Sequence, residues 1–101
     1  AVLQDADRLD AIGALGVARS FATAGAMAAR GVPLRLYDPG DPLGRERPLD
    51  DRRNALDHFR VKLLGLAAGM HTEPARREAA ARHRLMEAFL EAFDREASGP
   101  L

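Results

Sequence analysis

The sequence predicts an all-α fold. Apolar residues recur every three or four positions over most of the chain, which is helical periodicity. No convincing strand, internal repeat or low-complexity tract interrupts that pattern. The main break is one stretch, residues 31–50, which holds four of the six prolines and three glycines.

Composition bounds the rest. A chain of 101 residues, 47% hydrophobic and 30% charged, is a single globular domain at most. Its 15 basic and 15 acidic side chains cancel, so no global field draws it to nucleic acid or to an anionic membrane. Lys62 is the only lysine and alanine is abundant, a bias of composition rather than a binding surface. The absence of cysteine excludes disulfides, thiolate metal sites and cysteine nucleophiles. A reducing cytoplasm is the expected compartment. No apolar run reaches the ~18 residues of a membrane span, and no signal-peptide pattern opens the chain.

The first predicted helix covers residues 4–30. Val2, Leu9, Ile12, Gly16 and Val17 fit one face, while Leu15, Ala18 and Phe21 fill the others, as in a helix buried all round. Gly13, Gly16 and Gly25 each weaken it by up to ~1 kcal/mol relative to alanine. They are expected to serve close approach of another helix, or a break near Gly25. Residues 31–50 read as an irregular loop, long enough to be functional or partly mobile. A second helix is expected from Asp51 to Met70, with a stripe of Leu56, Phe59, Leu63, Leu66 and Met70. His71-Thr72-Glu73-Pro74 reads as a helix start, with Thr72 as cap, Glu73 at the positive end of the dipole and Pro74 in the first turn. The third helix, 73–97, carries Ala79, His83, Met86, Leu90 and Phe93 on one stripe and ends at Ser98-Gly99-Pro100-Leu101. Helices two and three should form an antiparallel hairpin.

The chemistry concentrates in "QDADRLD". Asp7 and Asp10 share a helical face and Asp5 points elsewhere. Two carboxylates on one face repel unless a cation or basic partner lies between them, and oxygen ligands suit Mg²⁺ or Mn²⁺. The alternative is an acidic first turn favoured by the helix dipole, and on spacing alone that reading comes first.

"QDADRLDAIGALGVARSFA", "LYDP", "ALDHFRVKLLGL" and "HTEPARREAAARHRLMEAFLEAF" together resemble the C-terminal half of the HD-domain metal-dependent phosphohydrolases, above all their small bacterial stand-alone members. The likeness runs over nearly the whole chain. It implies that Ala6-Asp7-Arg8-Leu9-Asp10 corresponds to the segment supplying the last aspartate ligand of the metal. Asp7 is then the ligand, Asp5 the alternative if the alignment slips by two, and Asp10 an acid that supports the ligand. The family takes its other ligands from an early His and a His-Asp doublet. Here His58, His71 and His83 precede Phe, Thr and Arg, and no His-Asp pair occurs. One carboxylate does not hold a catalytic divalent ion. The resemblance therefore implies the rear part of an HD domain whose front half is absent, inactive by itself. The intact parent would use Mn²⁺, Mg²⁺ or Fe²⁺ on a nucleotide or other small phosphorylated substrate. The chain alone would hold no metal and would pair with a second copy or with the missing segment.

His58 and Lys62, four apart, could reach a substrate phosphate, or could be surface residues. His83 reads as a hydrogen-bonded core histidine, His71 and Thr72 as capping groups, and Arg52, Arg53, Arg76 and Arg77 as solvated faces. Tyr37-Asp38-Pro39 is either a pocket mouth or a turn. The rival function is a non-catalytic helical interaction module, or a degenerate HD domain whose aspartates survive as caps.

Overall fold

Helices dominate the computed structural model, which describes residues 2–99; the side chain of Val2 and residues Pro100 and Leu101 lie outside the described residues. Four α-helices and one 3-10 helix follow in the order α1 Val2–Leu9, α2 Gly13–Ala29, α3 Asp57–Val61, the 3-10 helix Leu63–Gly69 and α4 Glu73–Ser98. The strand-like pairing among the described residues is a single parallel bridge between Arg35 and Asn54.

The helix expected over residues 4–30 is two helices, bent by 69° at Asp10–Ile12 and not near Gly25. The last turn of α1 tightens as the Ala11 and Ile12 amides donate to the carbonyls of Arg8 and Leu9. Ile12 is extended, and Gly13 takes a φ of 73°, a conformation that L side chains avoid. The long-range partner at this joint is Arg82 of α4, whose guanidinium donates to the Leu9 carbonyl. A Cβ on Gly13 would lie 2.7 Å from Arg82 Cγ. Gly25 has open space around it, so the close approach expected there is absent. Gly13→Ala should therefore lower the melting temperature by on the order of 5–10 °C, the left-handed conformation alone costing ~1–2 kcal/mol. Gly25→Ala should raise it slightly through helix propensity. Equal shifts in a thermal melt would contradict this account of the joint.

The expected second helix is also broken. The Ala55 and Leu56 amides donate to the carbonyls of Arg35 and Leu36, at 2.9 and 3.0 Å, so they are spent before a helix begins. Beyond α3, Lys62 leaves helical geometry and the glycine-containing run Leu63–Gly69 tightens into a 3-10 helix. The apolar stripe survives the break: Leu56, Phe59, Leu63 and Met70 are buried. The helical hairpin is thus a broken arm against one long helix. That long helix matches its prediction within a residue at its far end, and the Thr72 hydroxyl accepts from the Ala75 amide as its cap.

The loop of residues 31–50 is ordered by its own polar groups. Asp41 accepts the amides of Arg45 and Glu46, and Arg60 donates to the carbonyls of Leu43 and Gly44. Tyr37 meets Phe93 edge-on at 5.0 Å. Arg47 reaches inward to Asp57, donating from Nη1 and Nη2 to its two carboxylate oxygens at 2.6 and 3.0 Å.

Ile12, Leu56, Phe59, Met86 and Leu90 form the core, closed by a ring cluster of Phe21, Phe59 and Phe89 at 5.7–6.0 Å. α2 shares in it along one side only, through Gly13, Gly16, Val17 and Phe21. Its other side, with Leu15 50% exposed, faces outward, contrary to a helix covered all round. The accessible surface, 6441 Å², exceeds the ~5,600 Å² of a compact monomer of this mass. The Cα radius of gyration is 14.3 Å, against ~13 Å for a compact domain of 100 residues. No single helix among the described residues is long and apolar enough to cross a membrane.

Candidate functional site

The three aspartates of the opening segment go to different environments. Asp5 is buried and points at the start of α4. Its Oδ1 accepts the His71 amide at 2.9 Å, and its Oδ2 accepts the Thr72 amide and hydroxyl, both at 2.9 Å. Burial by itself raises the pKa of this carboxyl. The hydrogen bonds from His71 and Thr72 outweigh that and hold it below the usual carboxylate range. Asp5 thus satisfies amides at the N-terminus of a helix 66 and 67 residues further along the chain. His71 lies exposed beside it, with Nε2 3.0 Å from Arg8 Nη1.

Asp7 and Asp10 are exposed, Asp7 on α1 and Asp10 at the joint with α2. Among the described residues neither carboxylate has a hydrogen bond or an ion pair, although the Asp10 carbonyl accepts from Arg19 Nη1 at 2.8 Å. No group of three or more His, Asp or Glu converges to hold a metal ion among the described residues. With Asp5 committed to amides and Asp7 standing apart, these residues do not by themselves fit the divalent ion that the resemblance implies.

A cavity of about 330 Å³ opens beside the joint, between α2 and the segment leading into α3. Met27, Leu34 and Leu63 give it an apolar wall, and its polar groups are Arg19, Ser20, Thr23, Asp51, Arg52 and His58. That mixture of apolar wall and few convergent polar groups is characteristic of a small-molecule site, and two guanidinium groups suit an anionic ligand. The segment 50–58 that carries Asp51, Arg52 and His58 is braced from beneath. The Asp57 carboxylate is buried, paired with Arg47, and accepts the Asp50 amide at 2.8 Å and, more weakly, Asn54 Nδ2 at 3.4 Å. Burial raises the Asp57 pKa, but Arg47 and the Asp50 amide outweigh it and hold the group below the usual carboxylate range. Above this brace, His58 Nδ1 lies 2.8 Å from Asp51 Oδ2.

Of the residues predicted from sequence, His58 therefore lines the cavity, while Lys62 is exposed at the end of α3 and outside it. Tyr37 and Asp38 are also outside: Tyr37 sits on Phe93, and Asp38 makes ion pairs with Arg35 and Arg47. His83 is half-buried with Nδ1 unpartnered, rather than a hydrogen-bonded core histidine. Arg19, Ser20, Thr23 and Asp51 are lining residues that the sequence reading did not single out. The signal for the first three was available, because Arg19, Ser20 and Thr23 are the polar positions of an otherwise apolar helix at one-turn spacing.

No protein-family model matches the chain. It is 39% identical over 97 residues to the uncharacterized protein YpgQ of Bacillus subtilis, covering 96% of this chain and 39% of that protein. Among solved structures, an HD-superfamily hydrolase from Bacillus thuringiensis matches with a TM-score of 0.73 and 43% identity, over 96% of this chain and 45% of its own. The helical fold is HD-like. The crystal structure of YpgQ in complex with ADP matches this HD-like chain with a TM-score of 0.76 and 40% identity, over 97% of this chain and 44% of that one. The chain spans less than half the length of these relatives.

Proposed function

We propose that this chain is the C-terminal part of an HD-domain metal-dependent phosphohydrolase that acts on a nucleotide or another small phosphate ester. The observation that carries this reading is the cavity beside the α1–α2 joint. Its two arginines, two hydroxyls and one histidine over an apolar wall fit a phosphate attached to an organic group. The 43% identity with an HD-superfamily hydrolase supports the reaction class, and the complex of YpgQ with ADP supports a nucleotide. Arg19 and Arg52 would neutralise phosphate charge, and Ser20 and Thr23 would donate to its oxygens. Asp7 would contribute one metal ligand and Asp10 would support it, the other ligands coming from residues outside these 101. A second reading, a non-catalytic interaction module, draws on the outward face of α2 and on the commitment of Asp5 to capping.

The 101 residues alone, with Mn²⁺ or Mg²⁺ added, should turn over no general phosphate ester. In a protein of the relatives' full length that carries this chain, Asp7→Ala should remove bound metal and hydrolysis while helical circular dichroism stays unchanged. Asp10→Ala should be milder. Equal metal content in wild type and Asp7→Ala would move the ligand to Asp5 or end the reading. Turnover by the pure 101-residue chain, abolished by Asp7→Ala, would refute its division into an inactive part.

A further inference from the structure

Asp51 and His58 stand seven residues apart in sequence, Asp51 in a turn that leads into α3 and His58 in its first turn, and both border the same cavity. Each side chain is about one-third exposed, at 31% and 35%. A pair this open could be an incidental surface contact. Its mounting argues otherwise. Of the residues between them Arg52 and Arg53 are exposed, but Asn54 to Asp57 are all buried, and the carboxylate of Asp57 fixes the amide of Asp50 next to Asp51. On the other flank, Asp50 Oδ1 accepts the Arg52 amide at 3.0 Å and the Asp50 carbonyl accepts the Asn54 amide at 3.0 Å. The backbone on both sides of Asp51 is therefore held, and its carboxylate meets His58 at 2.8 Å from a fixed base.

A carboxylate beside one ring nitrogen selects the tautomer with the proton on that nitrogen and fixes the plane of the ring. Here the selected proton is on Nδ1. Nε2, on the opposite edge of the ring, is left to take up the second proton and, as imidazolium, to donate to a ligand oxygen. We propose that Asp51 is a positioning residue for His58, holding its imidazole with Nδ1–H on the carboxylate so that, in the imidazolium form, Nε2–H donates to a phosphate oxygen of the ester in the cavity. This rests on the cavity being the substrate site. It adds to that reading a residue that does not touch the substrate, and a defined protonation pattern for one that does.

The test uses the ¹⁵N-labelled 101-residue chain, with His58 signals assigned by their loss in His58→Gln. At about pH 8.5, where a histidine is ordinarily neutral, long-range ¹H–¹⁵N spectra of the wild type should show the Nδ1–H tautomer. Asp51→Ala should shift His58 towards the commoner Nε2–H form. At about pH 6, where a histidine is ordinarily largely protonated, inorganic pyrophosphate should move the His58 ring signals, and Asp51→Ala should weaken its binding by roughly tenfold, the equivalent of one oriented charge-assisted hydrogen bond. Wild-type His58 in the Nε2–H form overturns the proposal without any variant. So does a tautomer unchanged by Asp51→Ala, and in that case the cavity reading survives if pyrophosphate still binds. A tautomer shift with no response of His58 to pyrophosphate overturns the cavity reading and, with it, the role of the pair.

Discussion

Asp57→Ala is expected to destabilise the fold by about 3–5 kcal/mol, the usual cost of removing one partner from a buried ion pair. The side chain of Asp57 is wholly inaccessible, and Arg47 grips both of its oxygens. Its removal takes the two-point partner from the Arg47 guanidinium, leaving it Asp38 and the Asp41 carbonyl, and releases the Asp50 amide that Asp57 accepts. The loss compares with a total stability of only ~5–15 kcal/mol for a domain of this kind. In urea, at a slope of ~1–3 kcal/mol per M, the unfolding midpoint should fall by at least ~1 M. A midpoint unchanged within experimental scatter would remove Asp57 from the role of brace. The same group sets the acid limb of stability. Its folded pKa is lowered, so its contribution is complete above the ordinary carboxylate value of ~3.9 and disappears as pH falls through the folded value. Asp5 and Asp41, lowered in the same direction, act over the same window. Wild-type stability should hold down to about pH 5 and then decline, and the decline should be shallower in Asp57→Ala.

The second large effect concerns association. In solution at micromolar concentration the 101-residue chain is expected to pair with itself, with a light-scattering mass near twice 10.9 kDa. The structure carries about 850 Å² more surface than a compact chain of its mass, a difference between 6441 Å² and the ~5,600 Å² expected. That surplus is close to the ~800 Å² that each partner contributes to a standard interface. It includes the outward side of α2, where Leu15 is half-exposed. Leaving even ~400 Å² of apolar surface uncovered costs on the order of 10 kcal/mol, at ~25 cal/mol per Å². A sharp monomer peak with cooperative thermal unfolding would sink this expectation.

Helical stripes were legible in the sequence because burial follows periodicity even where the backbone does not. Leu56, Phe59, Leu63 and Met70 point inward although the helix drawn through them is broken. The breaks were illegible because distant residues impose them. Arg82 holds the Leu9 carbonyl beside Gly13, and the carbonyls of Arg35 and Leu36 take the amides of Ala55 and Leu56. α4 was legible almost to the residue, since Thr72, Glu73 and Pro74 announce its start locally. Spacing put Asp5 on a different face from Asp7 and Asp10 but did not reveal that this face is the buried one, so the other acceptor at that start went unrecognised. At the cavity, His58 stood out as a residue type, whereas its partner Asp51 became visible only once the segment between them was seen to fold back.

The bond from Asp5 to the start of α4 also has a bearing on the order of assembly. It joins positions 66 and 67 residues apart, so it forms only after a large loop has closed. α1 has eight residues, too few to persist as an isolated helix in water. During synthesis Asp5 emerges long before His71 and Thr72, and α1 has no such tether until they follow. Its amide protons should gain protection late in a refolding pulse-labelling experiment, after those in the middle of α4. Of the helices described, the earliest in the chain is then among the last to take its place.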